Sequence, residues 1–143
     1  MTQSRNLDRF VTAQESAYEI ALAEIKAGRK RTHWMWYIFP QLEGLGFSET
    51  ARFYGIKGRK EAKEYLDHPV LGSRLREIFH ELLEIPHSNA NSVFGSPDDL
   101  KLKSCATLFL LMDSSDESVF GKVLDKFFGG QMDQKTIALL ERA

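Results

Sequence analysis

Apolar residues in the first part of the chain fall at Leu7, Phe10, Val11, Tyr18, Ala21, Leu22 and Ile25. Steps of three and four put them on one stripe, which predicts a long amphipathic first helix over residues 7–27. Ser4 or Asn6 can cap it, and Gly28 stands where a left-handed C-terminal residue is wanted. After Pro69 the stripe returns at Val70, Leu71, Leu75, Ile78, Phe79, Leu82 and Leu83. Proline suits the first helical position because its missing N–H would be unpaired there anyway. Pro86 stops that helix, and residues 87–91 read as a polar loop. Leu102, Cys105, Ala106, Leu108 and Phe109 predict a further helix to about Met112. Its start is Ser96-Pro97-Asp98-Asp99: a serine cap, proline next and acids in the first turn. Val119, Phe120, Val123, Leu124, Phe127 and Phe128 predict another, ended by Gly129-Gly130. Asp133 caps a final short helix bearing Ile137 and Leu140. Shorter helices are expected over residues 48–54, capped by Ser48, and 59–66.

One stretch breaks this rhythm. His33-Trp34-Met35-Trp36-Tyr37-Ile38-Phe39-Pro40-Gln41 holds both tryptophans of the chain and has no clean period. Pro40 disfavours helical geometry at Phe39. Trp34, Trp36 and Ile38 alternate but have no partner run with which to pair as a strand. The expected architecture is all-α: a single domain over residues 1–143, with six to seven helices and an irregular aromatic segment after the first.

Composition narrows the function classes. A chain of 143 residues fits one domain. Folding at that size buries about 70% of the unfolded chain's surface. A formal net charge of -1 gives no overall pull toward nucleic acid or membrane. The basic run Arg29-Lys30-Arg31 reads first as a solvated turn; the alternative is that it complements the first helix's negative end. One cysteine, Cys105, excludes an intramolecular disulfide and suits a reducing compartment. Neither a signal-peptide core nor an apolar run of spanning length is visible, so the expected location is cytoplasmic.

The chemistry-bearing residues are few. His33, His68, His80 and His87 are dispersed, without the i, i+4 spacing of a zinc helix, so no metal and no cofactor are expected. Cys105 lies on an apolar face and reads as a buried, inert thiol. There is no nucleophile elbow, P-loop or dinucleotide fingerprint. Asp98 and Asp99 are ordinary stabilising acids at a helix start. They also mark a helix end able to receive an anion, with Lys101 close by. The aromatic segment can plug the core. It can equally wall a pocket for a planar ligand, because buried indole N–H groups need partners and His33 and Gln41 bring polar atoms to its ends.

The string Gly28-Arg29-Lys30-Arg31-Thr32-His33-Trp34-Met35-Trp36-Tyr37-Ile38-Phe39-Pro40-Gln41, followed by Gly44-Leu45-Gly46-Phe47-Ser48, resembles the hallmark of domain of unknown function family 1810. So do Tyr65-Leu66-Asp67-His68-Pro69-Val70-Leu71-Gly72 and Phe94-Gly95-Ser96-Pro97-Asp98-Asp99-Leu100-Lys101-Leu102. The resemblance covers nearly the whole chain. It implies a small, mainly helical, mostly bacterial domain and no defined activity. A weaker similarity, in the order of parts, is to the NADAR group, associated with ADP-ribose and nucleotide-derived N-glycosides. The corresponding stretches are residues 33–41, 68–71 and 94–99. The glutamate-histidine pair of that group's first motif is replaced here by Thr32-His33.

Two function classes follow. In the first, the protein binds a nucleotide-like small molecule and hydrolyses its N-glycosidic bond. Trp34 or Trp36 would stack the base, and His33 and Gln41 would bind polar edges. Lys101 and Arg31 would meet phosphate, and Asp98 or Asp99 would serve as the catalytic carboxylate. That mechanism requires Trp36 and the Asp98 region to share one concavity. In the second, the same segment belongs to a non-catalytic module for a ligand or a protein, with a largely structural aromatic segment. No membrane partner is expected, nucleic acid is disfavoured, and a homo-oligomer is compatible with the sequence.

Overall fold

The computed structural model describes residues 2–142, with side chains described from Leu7 onward. Among these residues the fold is all-α, with nine helices: α1 (Thr2–Lys26), α2 (Met35–Ile38), α3 (Glu49–Phe53), α4 (Arg59–Asp67), α5 (Leu71–Glu84), α6 (Ala90–Phe94), α7 (Asp98–Met112), α8 (Val119–Phe128) and α9 (Gln134–Arg142). The count exceeds the expected six to seven because two single-turn helices escape a periodicity reading. One is α2, inside the aromatic segment. The other is α6, which begins within the expected polar loop of residues 87–91 and runs past its end; there the Asn89 side chain accepts from Ser92 N–H (3.1 Å) and Val93 and Phe94 are buried.

Most helix ends follow local chemistry. Helix α1 closes on Gly28 at φ 82°, and Arg29 N–H reaches back to Glu24 C=O (3.0 Å), a Schellman turn. The Ser4 and Asn6 side chains lie outside the described residues. Ser48 caps α3 through Ala51 N–H (3.1 Å), and Gly129 ends α8 at φ 62°. Two starts differ from expectation. Helix α5 begins at Leu71, not Pro69, and the His68 imidazole Nδ1 accepts from Val70 and Leu71 N–H (3.1 and 3.2 Å). Helix α7 has Pro97, not Ser96, at its N-cap position and no side-chain cap there. Asp99 Oδ1 instead accepts from Leu100 N–H at 2.9 Å.

Helices α5 and α7 hold the centre. Helix α5 packs on α1, α4 and α8, and α7 on α4, α6, α8 and α9. Helix α7 is buried nearly all round, Leu102, Cys105, Ala106, Thr107, Leu108 and Phe109 being inaccessible to solvent. A chain of aromatic contacts runs through the core from Trp34 to Phe39, Phe79, Phe120, Phe109, Tyr65 and Phe10, with ring centroids 4.8 to 5.9 Å apart. The inward half of the aromatic segment is thus a core plug. No described helix is long and apolar enough to cross a membrane.

A candidate ligand groove

The two tryptophans part company because of α2. Residues two apart on a helical turn are separated by about 200°. Trp34, at the α2 N-cap, points into the core and is 2% exposed, whereas Trp36 is half-buried on the far side. Glu24 fixes the approach. Its carboxylate accepts from Arg31 N–H (2.7 Å), Thr32 N–H (3.1 Å), Thr32 Oγ1 (2.8 Å) and the Trp34 indole N–H (2.9 Å). Burial pushes this carboxyl up, and the hydrogen bonds outweigh burial and hold it below its ordinary value.

Beyond α2 the chain forms a loop closed by an isolated parallel bridge between Leu42 and Ile56. Glu43 N–H donates to Ile56 C=O (2.7 Å) and Ile56 N–H to Gln41 C=O (2.8 Å). Arg9 clamps the loop from α1, donating to Phe53 C=O (2.7 Å) and Gly55 C=O (2.9 Å) while paired with the buried Glu61 (3.1 Å). Glu61 also accepts from Lys57 N–H at 3.0 Å. The loop carries Leu45, Gly46, Phe47 and Ser48 to one rim of an open groove of about 1030 Å³. Trp36 and Gln41 line it from the aromatic segment. Pro97, Leu100, Lys101, Lys103 and Ser104 line it from the start of α7, and residues 131–135 close it at the start of α9.

Asp133 joins the last two walls. Its N–H donates to Thr107 Oγ1 (2.8 Å), and its Oδ2 accepts from Ser104 Oγ (3.0 Å), Thr136 N–H (3.1 Å) and Thr136 Oγ1 (2.5 Å). It is the helix cap expected from the sequence, and it also places a carboxylate in the groove lining. Three lysines, Lys101, Lys103 and Lys135, oppose that one carboxylate. Lys101 Nζ lies 5.0 Å from the centroid of the Trp36 ring and 3.2 Å from Asp98 Oδ1. Among the described residues, neither the Trp36 indole N–H nor the Gln41 carboxamide has a hydrogen-bond partner in the protein. Both face solvent partly, and a ligand in the groove could use both.

Of the residues singled out in the sequence, the structure brings Trp36, Gln41 and Lys101 together on the groove. Trp34 is in the core with its one donor used by Glu24, so of the two tryptophans only Trp36 presents a ring to the groove. His33 and Arg31 are exposed and lie off the lining. The start of α7 does share the concavity with Trp36, through Pro97, Leu100 and Lys101, but Asp98 and Asp99 are not among the lining residues. Asp98 is ion-paired to Lys30 (3.1 Å) and Lys101, and Asp99 accepts from Leu100 N–H and, at 3.3 Å, from Asn91 Nδ2. Lys103, Ser104, Asp133 and Lys135 also line the groove, although no sequence motif marks them as site residues. A signal for part of this wall was present: Pro97, Leu100, Lys101 and Ser104 are spaced i, i+3, i+4 and i+7, one face of the expected helix. Cys105 is fully buried off the groove, and burial pushes its thiol well above the ordinary value.

No curated protein matches the chain. Its structure is similar to the crystal structure of the conserved hypothetical protein Rv1873 from Mycobacterium tuberculosis. The two share 45% sequence identity over 95% of this chain and 96% of that one, with a TM-score of 0.92. A family model described as "Protein of unknown function (DUF1810)" matches residues 4–140. With nearly its whole length matched, the chain belongs to that family.

Proposed function

We propose that the groove binds an anionic small molecule with a planar group, of the nucleotide or ADP-ribose type. The observation that carries this reading is the pair of unused polar groups, Trp36 N–H and the Gln41 carboxamide, in a groove walled by three lysines. Three lysines against one aspartate make the lining net cationic, in a chain whose formal net charge is -1. Aromatic stacking of a base contributes about 1–3 kcal/mol, and the ammonium groups add charge-assisted hydrogen bonds to phosphate oxygens. The volume is at the upper end of the roughly 300–1,000 Å³ common for ligand sites, room for a dinucleotide-sized molecule.

Hydrolysis of an N-glycosidic bond in the same groove is the second reading, and it needs a carboxylate beside the anomeric carbon. Asp133 lines the groove, but its Oδ2 already accepts three hydrogen bonds from Ser104 and Thr136, and Asp98 and Asp99 are off the lining with oxygens engaged. Binding without turnover is therefore the reading the geometry supports better. Calorimetric titration with ADP-ribose and ADP tests it. Binding should weaken at least about tenfold, the scale of one stacked base or one phosphate contact, in Trp36→Leu and in Lys101→Met. No binding of either ligand at millimolar concentration would sink the proposal. Chromatography of the same mixtures tests turnover: a released base, lost in Asp133→Asn or Asp98→Asn, would establish the hydrolytic reading.

A further inference from the structure

Behind the Trp36 wall the Asp98 carboxylate lies between two ammonium groups, each resting on a tryptophan. Lys30 Nζ is 3.1 Å from Oδ2 and 5.1 Å from the centroid of the Trp34 ring. Lys101 Nζ is 3.2 Å from Oδ1 and 5.0 Å from that of Trp36. The two lysines differ in setting. The Lys30 side chain is 9% exposed and lies off the groove, with its backbone N–H tied to Val93 C=O (2.7 Å). The Lys101 side chain is 24% exposed and lines the groove.

From this arrangement we infer that Asp98 is the groove's internal counter-ion, and that a phosphate-type anion takes Lys101 from it while Lys30 keeps the carboxylate paired. The inference rests on the reading that the groove binds an anion. Its physical basis is the cost of stranding charge: a partly buried carboxylate stripped of every partner is expensive, one that keeps a buried lysine is not. Lys30 therefore makes the exchange affordable, although it never meets the ligand. The exchange also discriminates between anions. A monocarboxylate only replaces like with like at Lys101, whereas a pyrophosphate or phosphate monoester brings more charge and more acceptor oxygens than Asp98 supplies. The ligand class is accordingly a phosphorylated or pyrophosphate-bearing molecule.

Titration with inorganic pyrophosphate at constant ionic strength tests this. Asp98→Asn keeps the side chain's shape and removes the competing charge, so pyrophosphate should bind about fivefold more tightly, the scale of a partly exposed ion pair. Lys30→Met should weaken binding by a similar factor, because Asp98 then falls wholly to Lys101. In the Asp98→Asn background the effect of Lys30→Met should shrink below about twofold, a coupling that a simple change in net charge does not produce. Tight pyrophosphate binding by the wild type that Asp98→Asn leaves unchanged or weakens overturns the counter-ion role alone. So does an equal Lys30→Met effect in both backgrounds. If neither the wild type nor Asp98→Asn binds pyrophosphate, the groove reading fails as well. Were Asp98→Asn to fold poorly, Lys30→Met is compared with Lys63→Met, an equal charge change at an exposed lysine off the groove: a loss confined to Lys30→Met supports the exchange, and unchanged affinity or an equal loss in both contradicts it.

Discussion

Glu24→Ala should be among the more damaging substitutions at the partly exposed positions of this protein. The carboxylate gathers four hydrogen bonds, at 2.7, 2.8, 2.9 and 3.1 Å. The Arg31 and Thr32 groups are solvent-exposed and recover water bonds when Glu24 is cut back, so each contributes about 0.5–1 kcal/mol. The Trp34 indole is 2% exposed, and its N–H would be left without a partner at a cost of about 1–3 kcal/mol. Together these give roughly 3 kcal/mol, a large part of the 5–15 kcal/mol typical of a domain. Glu24→Gln keeps one acceptor oxygen for the indole and should cost about half as much. The pH dependence has a definite sign. The folded carboxyl titrates below the ordinary value of 4.5, so the stabilisation is fully present above that value. It is lost as pH falls through 4.5 and on through the folded pKa. The gap between wild type and Glu24→Gln should thus narrow below about pH 4.5. Urea titrations followed by far-UV circular dichroism at pH 7 and pH 3.5 measure both effects. A Glu24→Ala loss under about 0.5 kcal/mol, or a wild-type-to-Gln gap equal at the two pH values, would mean that the Glu24 carboxylate does not hold this turn.

Two further substitutions or probes examine the core. A Cβ at Gly72 would sit 2.0 Å from the Leu66 carbonyl oxygen and 2.9 Å from its carbon, both backbone atoms. Gly72→Ala should therefore force α4 and α5 apart and cost at least about 2–3 kcal/mol, read as a lower urea midpoint; a midpoint matching wild type would contradict the close approach. Cys105 is wholly buried with its thiol pushed up, so a disulfide reagent at pH 8 should label it only at the rate of unfolding. Complete labelling within seconds in native buffer would show that the helix α7 interior is not sealed.

The readable parts of this fold were those where one helix buries one stripe. Helices α5 and α8 carry such stripes, and Ser48, Gly28, Gly129 and Asp133 punctuate as their chemistry requires. Helix α6 was not readable, because five residues span barely more than one turn and offer no period. The Ser96 cap failed because the helix start is set by Pro97 and by Asp99 turning back on Leu100 N–H. For the groove, the aromatic segment was legible as unusual, yet the division of labour between Trp34 and Trp36 depends on Glu24, a helix away. Asp98 reads in the sequence as a stabilising acid at a helix start or a catalytic carboxylate, and its partner Lys30 becomes visible only when the fold brings the two together. Asp133, the α9 cap, and Lys135 in its first turn reach the groove together, and no local pattern connects them to Trp36. Gly72 lay inside a recognisable motif, but the reason for glycine there is the Leu66 carbonyl.

Binding of a phosphorylated planar ligand in the groove beside Trp36 can be read spectroscopically. The chain contains two tryptophans, so a 15N-correlated NMR spectrum shows two indole N–H resonances. One belongs to the buried Trp34, hydrogen-bonded to Glu24, and the other to the unpartnered Trp36. On titration with ADP-ribose, the Trp36 resonance should move progressively to saturation while the Trp34 resonance stays in place. Two stationary indole resonances at millimolar ligand, or movement confined to Trp34, would mean that no such ligand sits against Trp36.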